Sequence, residues 1–396
     1  MLQNGVITIM QKAFDSLEGI YSELVEIRRD LHMNPELSFQ EKRTPEFIAN
    51  YLKDLGLEVR TGVGGNGVVG YLKGGKPGKT IALRADFDAL PIDDEKDVPY
   101  KSKVPGVMHA CGHDIHTAAL LGVAKTLSKV KDEIKGTVVF LHQHAEELSP
   151  GGAVGMIADG CLEGVDEVYG AHVEVNFPIG TVALNDGYVH AASDAYDITI
   201  YGKGGHGAEP HRCIDPVVIG SHLVIDLQNI VSRRIDPLHP AVVTVGAFHS
   251  GNAHNVIPDK AYLKGTVRTY DKDVRLQVEK ELNRIAEQTG AKHGAKIDVK
   301  YTKGYISLYN HPKETAFIKE LSIDIFGEEN VVVKPADMGG EDFAYYVDAV
   351  PGTFFWVGGG NPDLNAVYPH HHPKFDVDER SMINIGKIFI SAILSN

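Results

Sequence analysis

The sequence predicts an α/β protein in which a discontinuous domain, a central sheet flanked by helices, carries an inserted β-α-β-β-α-β module of ferredoxin-like plan. Three observations lead there. The chain has 396 residues, more than one hydrophobic core usually organises. Up to about residue 185, and again from about residue 305, apolar strand-like runs alternate with helical periodicity. Between those limits the strands change to one apolar and one wet face. The expected boundaries are 1–185 and 305–396 for the two segments of the larger domain and 186–304 for the insert.

Each element has its own signal. Phe14, Leu17, Ile20, Tyr21, Leu24, Ile27 and Leu31 recur at helical spacing, and Pro35 limits that helix. A second helix carries Phe47, Ile48, Tyr51, Leu52 and Leu55, with Gly56 as its C-cap. Strands are expected at Leu57–Arg60, Gly67–Leu72, Thr80–Ala85, Thr137–Leu141 and Val168–Val173, with a helix from about His116 to Val130. In the insert, Tyr196, Ile198 and Ile200 alternate with polar residues. A helix at Pro216–Arg233, strands at Ala241–Phe248 and Ala261–Thr269, a helix at Val274–Thr289 and a strand at Ile297–Tyr301 complete the split βαβ plan. The last segment reads as a helix near Glu314–Ile325, strands at Asn330–Val333 and Thr353–Val357, and a helix near Arg380–Leu394.

Composition excludes some classes. A net charge of −14 repels phosphate backbones, so no nucleic-acid partner is expected. Three cysteines, Cys111, Cys161 and Cys213, make no disulfide framework and suit a reducing compartment. No apolar run approaches the ~20 residues of a membrane helix, and Met1 to Ala13 lacks a basic-then-apolar leader pattern. A cytoplasmic protein is the expectation.

The chemistry concentrates in His109-Ala110-Cys111-Gly112-His113-Asp114-Ile115-His116. A thiolate and an imidazole two residues apart cannot share a helix face, but they converge from a turn, which Gly112 permits. Sulfur beside imidazole suits Zn or Mn. Glu146 and Glu147 follow a strand, where one carboxylate could bind metal and the other move a proton; alone, they read equally as a solvated surface pair. His172 ends a buried strand and alone reads equally as a core histidine. Tyr368-Pro369-His370-His371-His372-Pro373 is a compact imidazole cluster. These candidates share one property: they lie at strand ends or in the turns that follow, where open α/β sheets assemble sites.

Taken together, the motifs resemble the metal-dependent aminoacylase and carboxypeptidase G family, and most closely its hippurate hydrolase and auxin-conjugate hydrolase branch. The resemblance runs nearly end to end. It rests on Arg28-Arg29-Asp30-Leu31-His32 with Pro35-Glu36-Leu37-Ser38, on Ala85 to Pro91, and above all on His109 to Asp114. Gly204 to Ala208, Asn255 to Pro258 and Gly265 to Thr269 carry it through the insert, and Gly340 to Phe343 with His371 to Pro373 close it.

The resemblance implies Cys111, His113, Glu147, His172 and His371 as ligands of two divalent metal ions per subunit, Mn or Zn first, Co or Ni next. Five candidate ligands also exceed the three of a usual one-metal catalytic site. It further implies Glu146 as the general base, His206 as an oxyanion donor reaching a dimer partner's site, and Asn255 and Arg268 as binders of a substrate carboxylate. The insert becomes a lid and dimerisation domain, giving a homodimer or higher homo-oligomer with hinges near residues 185 and 305. Asp86, Asp88 and Asp114 are expected behind the ligands, and Asp114 is one candidate to bridge the ions.

The implied activity is hydrolysis of the amide bond of N-acyl-L-amino acids, small molecules, with a dipeptidase or aminopeptidase as the alternative and a non-catalytic metal protein as a third reading. One departure stands beside the base: the family usually shows Gln-Pro-Ala-Glu-Glu, whereas this chain has Gln143-His144-Ala145-Glu146-Glu147, preceded by His142. Both extra histidines read as bystanders. Gly207 and Met338-Gly339-Gly340 are further variants, which bear on substrate range.

Overall fold

The computed structural model describes residues 2–396; Met1 and the side chains of Leu2–Ile7 lie outside the description. The chain divides into two compact units. The first comprises Met1–Val189, Tyr309–Pro335 and Asp342–Asn396; the second comprises His190–Leu308 and Ala336–Glu341. The short return of 336–341 into the second unit has no counterpart in the sequence-derived boundaries.

The first unit opens with α1 (Leu2–Gly19) and α2 (Tyr21–Met33), where periodicity had suggested one helix. At the junction the Ile20 N–H donates to Leu17 O, three residues back, before regular bonding resumes from Leu24 N–H to Ile20 O. Leu17, Leu24, Ile27 and Leu31 remain buried on one side. The apolar stripe therefore survives the break, and a pattern of apolar residues cannot see it. Next come α3 (Arg43–Asp54), β1 (Glu58–Val63), β2 (Gly67–Lys73), β3 (Lys76–Asp86), α4 (His113–Ser128), β4 (Lys135–Gln143), α5 (Gly152–Ala158), β5 (Glu167–Pro178) and β6 (Val182–Leu184). Gly56, at φ 79°, closes α3: its N–H donates to Lys53 O and the Leu57 N–H to Leu52 O.

The chain passes through β7 (Gly187–His190) into the second unit: β8 (Ala192–Tyr201), β9 (Gly205–His206), α6 (Pro216–Arg234), β10 (Ala241–Ser250), β11 (Val256–Ile257), β12 (Lys260–Thr269), α7 (Lys272–His293) and β13 (Lys296–Thr302). It returns through β14 (Leu308–Asn310) to α8 (Pro312–Phe326), β15 (Val331–Val333), α9 (Ala344–Ala349), β16 (Gly352–Gly360) and α10 (Ser381–Leu394).

The first unit's sheet has the order β1-β2-β4-β3-β5-β16-β6-β15. Its centre, β4-β3-β5-β16, is parallel, and β1, β2 and β6 bring antiparallel pairings at the margins. Strands buried on both faces read as continuous apolar runs, as Gly352–Gly360 does, buried at every position. α4 is nearly all buried: Ala, Leu, Val and Gly fill most of its middle, and the buried His113, Asp114 and His116 occupy its first turn. Gly122 lets α2 approach it: a Cβ there would stand 2.8 Å from Leu24.

In the second unit the antiparallel sheet runs β10-β12-β8-β13, and α6 and α7 bury Leu223, Leu227, Val278 and Leu282 in its core. Asp215 and Asp271 cap the two helices by accepting backbone N–H groups of the first turn. The β-α-β-β-α-β order is that of the expected ferredoxin-like module. No helix among the described residues is long and apolar enough to cross a membrane.

Candidate metal centre

Parallel register brings the strand ends of the first unit level: Asp86, last residue of β3, pairs with Gln143, last residue of β4. The turns beyond them carry Asp88, Glu146 and Glu147. α4 begins at His113, three residues before the expected start, because Gly112 takes up a left-handed φ of 92° and turns the chain into the helix. No other residue fits there: a Cβ would stand 2.4 Å from a methyl of Val173. Cys111 and His113 thus converge across a turn. His371, itself left-handed at φ 64°, is held by its N–H on Ala110 O at 2.8 Å.

The donor atoms meet in overlapping groups. Those of Cys111, His113 and His172 lie within 4.8 Å of one another, and so do those of Cys111, Glu147 and His371. Cys111 Sγ is 3.4 Å from His172 Nε2, and His371 Nε2 is 3.2 Å from Glu147 Oε1. His113 Nε2 stands 3.9 Å from Glu147 Oε1 and 4.0 Å from Glu146 Oε2. All five ligands named from the sequence, with Glu146, are brought together in one unit.

Hydrogen bonds determine which ring nitrogens face inward. His113 Nδ1 lies 2.9 Å from Asp88 O, and a carbonyl only accepts, so Nδ1 donates and Nε2 is the nitrogen turned toward the donor cluster. His172 Nδ1 likewise donates to Val173 O at 2.7 Å, leaving Nε2 toward Cys111. His370 Nε2 donates to the same oxygen at 3.0 Å. The Val173 N–H donates to His116 Nε2 at 2.9 Å, whose Nδ1 bonds Asp86 at 2.7 Å. His116 has both nitrogens engaged and is a support, not a free ligand.

The electrostatics are those of a cation site. Burial would lower His113, yet Asp86 and Asp88 raise it to about 10. Burial, and then Glu147 and Glu146, push the Cys111 thiol well up. Burial, followed by His116 and His370, pushes His172 well down. His113 Nε2 is buried with no hydrogen-bond partner. A lone imidazole nitrogen among one thiol and several carboxylates fits a divalent ion of the Zn or Mn type. Cys111 is common to both groups.

That geometry engages both oxygens of Asp114 away from the donor groups, which leaves it no part as a bridge. Its Oδ2 is taken by Arg28 Nε at 2.8 Å and His32 Nδ1 at 2.7 Å, and its Oδ1 accepts the Ile115 N–H. Successive helix positions point about 100° apart, so Asp114 turns away as His113 turns in. Asp86 and Asp88 do back the site: Asp86 Oδ2 is 3.7 Å from His113 Nε2, and Asp88 Oδ2 accepts the Glu147 N–H at 3.0 Å.

Several residues have partners that the sequence did not assign to them. Arg28, fully buried, joins Asp114, Asp376 and Glu379, tying the α4 start to the segment after His371. Arg28 and His32 stand at i and i+4 of α2, so they share one helix face, and both are buried. Ser38 Oγ donates to Asp88 at 2.7 Å. Glu41, pushed up to about 7 by burial against an opposing hydrogen bond from Asn66, accepts the Ala145 N–H. His142, buried in β4, has neither nitrogen paired.

His206, Asn255 and Arg268 lie in the second unit. His206 on β9 and Val256 on β11 are register partners, and Asn255 O accepts the Gly207 N–H, so His206 and Asn255 share one exposed ribbon. His206 Nδ1 accepts the Ala208 N–H, which leaves Nε2 as the protonated donor. Arg268, half-buried on β12, donates to Thr266 Oγ1 and Val267 O.

Comparison with known proteins agrees with this centre. The family model described as peptidase family M20/M25/M40 matches residues 82–395. A Bacillus subtilis chain with the provisional name amidohydrolase YhaA is 50% identical over 391 residues, 99% of each chain. An N-acyl-L-amino acid amidohydrolase of Geobacillus stearothermophilus is 44% identical over 295 residues, 74% of this chain and 80% of that one. The solved structure of the Bacillus subtilis YXEP protein, described as a dinuclear metal binding peptidase, superposes with a TM-score of 0.83 at 35% identity, covering 96% of this chain and 98% of that one. The chain is a member of the M20/M25/M40 peptidase family.

Proposed function

We propose that the protein hydrolyses the amide bond of N-acyl-L-amino acids at a two-metal site. The observation that carries this reading is the pair of donor groups that share Cys111, with a second carboxylate, Glu146, beside them. Cys111, His113, Glu147, His172 and His371 hold the ions, with Mn or Zn the first candidates and Co or Ni next. The ions supply Lewis-acid polarisation of the carbonyl and an activated water.

The chain's own groups do the rest. Glu146, 7% exposed, takes the proton of the attacking water and returns it to the leaving amine. His206 presents Nε2–H to the oxyanion, reaching the site of a partner subunit in a homodimer built through the second unit. Such a donor contributes about 2.7–4 kcal/mol. Asn255 and Arg268 bind the substrate carboxylate, which the planar guanidinium matches. The second unit acts as the lid, and a cytoplasmic setting keeps the Cys111 thiol reduced.

Metal-free protein reloaded with Mn, Zn, Co or Ni and assayed on N-acetyl and N-benzoyl amino acids tests the proposal. Metal-dependent release of the free amino acid is expected; stoichiometric metal with no hydrolysis across the panel would reject it. The peptidase description of the YXEP protein favours one second reading, a dipeptidase or aminopeptidase on the same site. Faster turnover of free-amine dipeptides than of acylated amino acids would establish it.

A further inference from the structure

Two loops near the centre carry left-handed residues that are not glycine, Phe39 at φ 64° and Ala145 at φ 52°. A Cβ is disfavoured in that region, and such residues persist where their surroundings over-determine them. Glu41 joins the two loops. It is 1% exposed; its Oε1 accepts the Ala145 N–H at 3.0 Å, and its Oε2 accepts Asn66 Nδ2 at 3.0 Å. The Phe39 and His144 rings meet edge to face with centroids 5.8 Å apart. Ala145 is wholly buried, so its N–H has no water to turn to.

Glu147, two residues on, is anchored differently. Glu147 N–H is held by Asp88 Oδ2, which Ser38 also bonds. Glu146 stands between the two anchors. We propose that Glu41 is a positioning residue for Glu146: by holding the left-handed turn at Ala145 it sets where the Glu146 carboxylate stands, while Ser38 and Asp88 set Glu147. The proposal rests on the reading of Glu146 as the proton-transfer group. Position 144 increases the demand on Glu41, because His144 lacks the fixed φ that a proline would bring to this turn.

Glu41→Ala in the metal-loaded full chain tests the assignment. Expected is a loss in kcat of about 100-fold, the scale of a 1 Å misplacement, with KM and a stoichiometry of two ions unchanged. Glu41→Gln, which keeps an acceptor for the Ala145 N–H, should stay within about fivefold of the parent kcat. Unchanged kcat in Glu41→Ala, or ion loss in step with kcat, overturns the proposal. If Glu41→Ala does not fold, Glu41→Asp takes its place: the shorter side chain withdraws the acceptor, and full kcat there overturns the proposal equally. If the parent protein hydrolyses no acyl amino acid, the reading of Glu146 fails, and the crystal structure of Glu41→Asp decides the positional claim separately. Ala145 leaving the left-handed region and Glu146 retreating from His113 sustains it; an unmoved turn overturns it.

Discussion

Asp88 grips His113 twice, its main-chain oxygen 2.9 Å and its carboxylate 3.2 Å from the same Nδ1. The carboxylate also takes the Glu147 N–H, so one aspartate orients two candidate ligands.

Asp88→Ala keeps the carbonyl contact and removes the other two. Metal affinity should fall about 10–100-fold, the usual effect of losing a ligand's supporting partner. Competition with a chromophoric chelator measures it, and parent-like affinity would show that the main chain suffices.

Glu146→Gln keeps the side-chain shape and abolishes the proton acceptor. The variant should hold its ions and lose turnover by about 100–10,000-fold, the range of general acid–base catalysis. Retained kcat would remove Glu146 from the reaction.

Arg28→Met should destabilise by about 3–5 kcal/mol, because it strands buried Asp114 and Asp376 without their cation. Denaturant unfolding of metal-free protein reads this apart from ion binding. A change below about 1 kcal/mol, typical of a surface pair, would contradict the geometry.

His142 gives a pH test. Burial lowers it from 6.5 to about 3. Above pH 6.5 folded and unfolded chains both hold it neutral, so it adds no pH dependence there. As pH falls from 6.5 toward 3, only the unfolded chain takes the proton, and stability drops by about 1.4 kcal/mol per unit. His142→Leu should flatten the acid side of the stability profile over that window. Parallel profiles would mean that His142 gains its proton without unfolding.

The sequence was legible where periodicity or local chemistry decides. The second unit's strands and helices follow from alternation and helical periodicity. Cys111 and His113 stand out by residue type across a turn, whereas Glu147, His172 and His371 were named as candidate ligands by the family resemblance. What stayed hidden needs partners distant in the chain. Glu41 looks like any loop glutamate until Ala145, 104 residues later, offers it an N–H. Asp114 looks like a ligand's neighbour until Arg28, 86 residues earlier, claims it. The sequence allowed a turn at Gly112 but not that the helix begins on the next residue, which its φ of 92° brings about.

Three imidazoles, those of His116, His172 and His370, are aligned by the peptide groups of a single position, Val173. Every amino acid but proline offers the same N–H and C=O, so exchanging the valine side chain leaves this scaffold's directions intact. Retuning those rings therefore calls for bending or shifting the strand itself; a larger side chain at 173 acts elsewhere, by pressing on Gly112, where a Cβ would already stand 2.4 Å from a Val173 methyl.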